Sequence, residues 1–231
     1  AATLNYQLYS NLTAAGVALD EGTCPVGLRK AVKNAREIAG MRQAHLQDAL
    51  AMERFLYWLE KSVGCGREIS EWDAAVKLGQ LRAGLPDYLG DSFETISAYG
   101  PGAALPHYIT PHGAAPVLRE SGLFLCDSGG QYSCGTTDIT RTVPLGTCSA
   151  LEREDYTLVL KGHIDLAMAV FPEGTPGCRL DALAREPLWR SKRNFGHGTG
   201  HGVGWFLGVH EGPHDVRQNL NPTPLQPGMI L

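Results

Sequence analysis

Two aspartates and a run of histidines are the residues in this chain best suited to chemistry. Asp127 closes the apolar run Leu123-Phe124-Leu125-Cys126, and Asp138 follows the glycine-rich segment Ser128-Gly129-Gly130-Gln131-Tyr132-Ser133-Cys134-Gly135. A short apolar run of this kind predicts a strand buried on both faces, and the glycine-rich segment predicts a hairpin turn that brings the two carboxylates together. A buried carboxylate without a partner costs several kcal/mol, and two adjacent anions repel. No lysine lies between them, and Arg141 is the only base nearby. A divalent cation between the aspartates would satisfy both. A second reading stays open at this level: Asp127 caps the Ser-Gly-Gly turn while Asp138 pairs with Arg141.

The second cluster is His197-Gly198-Thr199-Gly200-His201-Gly202-Val203-Gly204. Two histidines four apart suggest the zinc-peptidase helix H-E-x-x-H. Glycine replaces the required glutamate, however, and four glycines disfavour a helix. A phosphate loop is excluded because no Gly-Lys-Ser/Thr follows. Glycines here allow close approach of the backbone to a ligand, with imidazoles free to bind a metal or a substrate oxygen; a glycine-rich turn with solvated histidines is the alternative. His210-Glu211-Gly212-Pro213 and Pro106-His107-Tyr108 add two more imidazoles. His45, His112, His163 and His214 stand alone and are expected to be structural or solvated.

These residues need elements to position them. Apolar residues from Ile38 to Val63 recur at three-four spacing and predict a helix over 35–63, stopped by Gly64 and Gly66. A second helix is expected from Ser70, whose partner Asp73 resembles a capping box, to Pro86, with Trp72, Val76, Leu81 and Leu85 on its buried side. Strands are expected at 93–99, 123–126 and 139–145. Further helices are expected at about 149–171, capped by Ser149 and Glu152, and at 180–189. Residues 1–28 predict a short helix at 5–12, a strand at 17–19 and a Gly-Thr-Cys-Pro turn. That is too little to bury a core, and it is expected to be the tail of a preceding domain. Helices and strands come in blocks, which indicates an α+β fold.

The bulk properties narrow the function. The 231 residues carry 24 acidic and 20 basic side chains, a formal charge of −4, which disfavours a surface devoted to nucleic acid. No apolar run approaches the ~18 residues of a membrane span. The six cysteines form no C-x-x-C pair, which disfavours a structural zinc site, and are expected to be free thiols of a reducing cytosol.

Taken together, Asp127–Tyr132, Gly135–Thr142, His197–Gly204 and Val209–Pro213 resemble the catalytic domain of Xaa-Pro aminopeptidase (aminopeptidase P). Gly40–His45 and Lys161–Ile164 extend the match, which runs from about residue 15 to the end. The resemblance implies a pita-bread α+β fold over residues 29–231, with a curved antiparallel sheet flanked by helices. It implies a cytoplasmic, homodimeric hydrolase with two divalent ions, manganese by expectation and zinc or cobalt as alternatives. Such an enzyme releases the N-terminal residue from peptides with proline second, by a hydroxide shared between the metals. Carried over, Asp127, Asp138 and His201 match metal ligands, and His107, His197 and His210 match histidines that line the substrate site. The family pattern continues past the segment matching Pro227–Leu231 with two glutamates. Three of five ligands are thus expected here and the fold is expected to lack its C-terminal part; the 231 residues are expected either to belong to a longer, active enzyme or, taken alone, to bind metal weakly and cleave nothing. A prolidase-like dipeptidase and a non-catalytic peptide-binding module on the same fold are the rival readings.

Overall fold

The computed structural model describes residues 4–20, 22 and 24–231. Its N-terminal half is helical. α1 (Tyr6–Ala14) is capped by Asn5, whose side chain accepts from the Gln7 and Leu8 amides. α2 (Pro25–Ala31) starts on proline, which has no amide hydrogen to leave unpaired at a helix start. α3 (Ala35–Ser62) is the long helix that the periodicity predicts, closed at its start by a capping box between Asn34 and Glu37. α4 (Glu71–Ala83) carries the reciprocal Ser70–Asp73 box.

The strands follow as β1 (Tyr88–Asp91), β2 (Ile96–Tyr99), β3 (Leu123–Ser128), β4 (Gly130–Tyr132), β5 (Gly135–Thr136) and β6 (Ile139–Pro144), interleaved later with α5 (Ala150–Ala167) and α6 (Asp181–Arg190) and completed by β7 (Gly200–His201) and β8 (Asp215–Val216). They form three antiparallel sheets: β2-β3-β6, β1-β4-β5 and β7-β8. α3 and α4 lie on β2-β3-β6. Phe55, Leu59, Leu78, Phe124 and Cys126 meet there in one buried cluster, with the Phe55 and Phe124 rings 6.4 Å apart. Each buried aromatic or leucine of this kind contributes about 1.5–3 kcal/mol. α5 and α6 pack closely because Gly162 leaves no Cβ to overlap the Ala184 carbonyl. No described helix is long and apolar enough to cross a membrane.

Several expectations are corrected. Residues 17–19 form no strand, because no neighbouring strand offers them a ladder, and the Cys-Pro turn is instead the start of α2. The strand expected at 93–99 is ordered only at Ile96–Tyr99, where β3 pairs with it. β3 alternates between buried Phe124, Cys126, Ser128 and half-buried Leu123, Leu125, Asp127, so it has one core face and one face open to a cleft. α4 buries Glu71, Ala74, Leu78 and Arg82, not the Trp72/Val76 side, because both charged residues find buried partners. The glycine-rich segment is no simple turn: it makes the separate β4–β5 hairpin, which docks on β1. The six cysteines are free.

Candidate metal centre

The sheet register places the carboxylates. Asp127 on β3 lies opposite Thr140 on β6 and accepts from its hydroxyl at 2.7 Å. Asp138 lies two residues before Thr140, and alternation along the strand points it to the same side. Burial raises the Asp127 carboxyl above its ordinary value, and the neighbouring Asp138 adds to that rise. Arg141 does not neutralise the pair. Its Nη1 donates to the Thr140 carbonyl, and the ion-pair partner of Asp138 among the described residues is His201, Nε2 to Oδ2 at 3.2 Å.

The imidazoles arrive from the other side of the cleft. His201 sits on the short strand β7, and its Nδ1 lies 3.0 Å from the Gly202 carbonyl oxygen. A carbonyl can only accept, so Nδ1 carries the proton and Nε2 faces Asp138. The hydrogen bond to Asp138 raises the His201 pKa above the usual imidazole value. The His210 ring meets the His201 ring edge-on at 4.3 Å, and burial together with that neighbour lowers its pKa, which favours the neutral form. One ligand atom each from Asp138, His201 and His210 lies within 4.8 Å of the others. Asp127 stands beside this group and is not one of the three.

A divalent ion fits this donor set. The carboxylates are close enough to oppose each other's charge, and the backbone fixes the proton of His201 on the nitrogen that faces away from them. A cleft of about 520 Å³ opens beside them, lined by Asp127, His107, His197, His201, His210 and Arg217 among others. Five of the six predicted site residues thus line this cleft, and the sixth, Asp138, is reached through its pair with His201. His107 and His197 are exposed on its wall, and His197 Nδ1 donates to the Gly198 carbonyl at 2.8 Å. His45, His112, His163 and His214 stay outside: His214 is buried against the Ile230 carbonyl, and His112 stacks edge-on against Trp72.

The glycines of the histidine run divide in use. A Cβ at Gly202 would overlap the Glu211 carbonyl and crowd the His214 ring, and one at Gly204 would crowd the Gly208 carbonyl. These two serve chain-on-chain packing. Gly198 and Gly200 are the ones that face the cleft.

Sequence reading misses what holds the site. Three ion pairs with at least one buried side chain each touch a site segment. Arg82 donates Nε to Asp48 Oδ1 at 2.6 Å, and Asp48 also accepts from the hydroxyl of Thr137, the residue before Asp138. Arg185 donates to Asp181 at 2.6 Å and 3.3 Å and to the carbonyls of Phe195 and His197 at 2.5 Å and 2.8 Å. Its guanidinium covers the Phe195 ring at 3.8 Å, and Asp181 also accepts from Thr199 at 2.6 Å. Buried Lys33 reaches Glu211, next to His210, at 3.0 Å. The spacing of Asp181 and Arg185 was the available signal, but such a pair four apart on a helix usually marks a solvated face.

The α+β scaffold of antiparallel sheets and helices, with its carboxylate–imidazole cluster, is that of the pita-bread metallopeptidases. The model of Metallopeptidase family M24 matches residues 39–231, and the chain belongs to that family. It is 46% identical over 216 residues to "Probable Xaa-Pro aminopeptidase P" of Sordaria macrospora, covering 92% of this chain and 35% of that protein. The protein of the same description in Podospora anserina is 50% identical, with 92% and 32% covered. Among solved structures, the X-prolyl aminopeptidase of Caenorhabditis elegans, described as a cytosolic enzyme with a di-nuclear active site, superposes with a TM-score of 0.85 at 44% identity, covering 90% of this chain and 34% of that one. The prolidase of Pyrococcus furiosus gives 0.79 at 26% identity, with 98% and 64% covered. The chain spans about a third of the length of the curated relatives it matches.

Proposed function

We propose that this chain is the catalytic part of a metal-dependent aminopeptidase that releases the N-terminal residue from peptides with proline in second position. The observation that carries this is the convergence of Asp138, His201 and His210 within 4.8 Å, beside Asp127, in a cleft walled by His107 and His197. Asp127, Asp138 and His201 are the residues that would hold the divalent ions, with manganese favoured by the carboxylate-rich donor set and zinc or cobalt as alternatives. When bound, such ions supply Lewis-acid polarisation of the scissile carbonyl and acidify water towards neutral pH.

This chain's own residues do the rest. His210, its pKa lowered by partial desolvation and by its His201 neighbour, and His197, with Nδ1 committed to Gly198, offer imidazole nitrogens to a developing oxyanion or a departing amine. Proline lacks the amide hydrogen that most peptidases require, and the apolar wall of Ile96, Leu105, Pro106 and Leu125 suits its ring. The Caenorhabditis elegans relative is described as a cytosolic enzyme and the six thiols here are free, which supports a cytoplasmic enzyme acting on peptides; its homodimeric state is proposed from the family resemblance.

The test compares turnover of an Ala-Pro peptide with an Ala-Ala peptide by the metal-loaded full-length protein and by its Asp138→Ala variant, alongside bound metal measured by elemental analysis. Proline-selective cleavage that falls at least 100-fold in Asp138→Ala, with lost metal, is expected. Unchanged metal content and cleavage in that variant would sink the reading. The prolidase neighbours favour a second reading, an Xaa-Pro dipeptidase. It predicts faster turnover of the Ala-Pro dipeptide than of an Ala-Pro tripeptide.

A further inference from the structure

Arg217 lies outside every motif that carries the family resemblance. In the β7–β8 ladder, His201 is opposite Asp215 and Gly200 is opposite Val216. Residues directly opposite share a face, and successive residues alternate. Asp215 is therefore on the His201 side, Val216 turns away into the core, and Arg217 comes back to the His201 side. Its guanidinium lines the same cleft as His107, Asp127, His197 and His210, and it is the one permanently charged cation among the described residues that do so.

The arginine is anchored and still available. Nε lies 3.1 Å from Asp215 Oδ2, which fixes the stem, while the side chain remains 45% exposed. The two terminal nitrogens have no hydrogen-bond partner among the described residues. Gly198 runs alongside Nε and Cζ and puts no side chain over them. The cleft is thus polar along its length, with Asp127 and Asp138 at one part and a guanidinium at another.

On the peptidase reading above, a bound peptide places one residue, bearing an ammonium, before the cut and everything else after it. A guanidinium repels the ammonium and attracts a carboxylate. We infer that Arg217 is a specificity-determining residue that binds a carboxylate of the peptide on the C-terminal side of the cleaved bond. The planar fork of arginine suits two-pronged contact with such a group. The carboxylate comes either from the C-terminus of a short peptide or from an acidic side chain in third position.

The test uses the metal-loaded full-length protein and four peptides: Ala-Pro-Ala with free acid and amide ends, and the Ala-Pro-Asp and Ala-Pro-Asn amides. KM is measured for the wild type, Arg217→Gln and Arg217→Lys. About a tenfold lower KM is expected for the acid-bearing member of one pair, falling towards onefold in Arg217→Gln and partly kept in Arg217→Lys. A preference confined to the first pair assigns the C-terminal carboxylate, and one confined to the second assigns the side chain. An acid-to-amide ratio that is the same in wild type and Arg217→Gln overturns the role of Arg217 and leaves the peptidase reading intact. Calorimetric binding of the same peptides covers the opposite case. Acid-selective binding lost in Arg217→Gln, without any cleavage, upholds Arg217 and sinks the peptidase reading.

Discussion

Replacing Arg185 by methionine tests whether the buried ion pair behind the histidine segment holds the site. Arg185 and Asp181 are 1% and 2% exposed at their side chains, so water cannot substitute for either. The variant removes both contacts to Asp181, the two carbonyl contacts to Phe195 and His197, and the cover over the Phe195 ring. Asp181 keeps only the Thr199 hydroxyl. Stranding one charge of a buried pair costs about 3–5 kcal/mol, which for a domain of this size lowers the melting temperature by roughly 6–20 °C. Urea denaturation followed by circular dichroism measures the loss, and the His197 imidazole resonances report whether its segment has moved. Asp181→Leu combined with Arg185→Met removes both charges and is expected to recover much of the loss, so the pair shows a coupling energy of about 1–3 kcal/mol. An Arg185→Met variant within about 0.5 kcal/mol of wild type, or a double variant equal to the sum of the singles, would refute the reasoning.

Other outcomes follow from the same geometry. Burial pushes the Glu211 carboxyl up, but hydrogen bonds from Lys30 and Lys33 outweigh it, and its pKa lies below the ordinary value. A depressed carboxylate stabilises the fold above its unfolded pKa of about 4.3, and that share is lost as pH falls through the lower folded value. Lys33→Met therefore differs most from wild type in urea midpoint near neutrality, and the gap narrows below about pH 4. Gly202→Ala places a methyl group against the Glu211 carbonyl and the His214 ring, which is expected to cost about 1–3 kcal/mol and to be seen as a lowered thermal midpoint. Burial pushes the Cys126 thiol up to about 12, so a thiol reagent added to the native protein at pH 8 labels exposed Cys65 and leaves Cys126 untouched until denaturant is added.

Much of this molecule was legible because its signals are local. α3 follows from apolar spacing, and the caps at Ser70 and Ser149 from two residues each. Of the six candidate site residues that came from motif spelling, five line one cleft and the sixth, Asp138, pairs with His201 beside it. What escaped depends on partners far away in sequence. α4 turns Glu71 and Arg82 inward because Tyr99 and Asp48 await them, and no helical periodicity contains that information. β1, with a glycine at its third position, becomes a strand only because β4 offers a ladder. The nearness of His210 to Asp138 and His201 needed the β7–β8 turnback, which leaves no alternation long enough to see.

The ion pairs behind the site also carry a folding order. Asp48 and Arg82 are 34 residues apart, whereas Lys33 and Glu211 are separated by 178. Closing the longer loop costs about 1.5 kcal/mol more in chain entropy. The half of the site that presents carboxylates can therefore assemble on α3 and α4 while the half that presents imidazoles is still searching. An early-folded chain would offer a divalent ion oxygen donors alone, a setting that holds such ions loosely and discriminates poorly among them. Discrimination among metals would then wait until the half that presents imidazoles has docked.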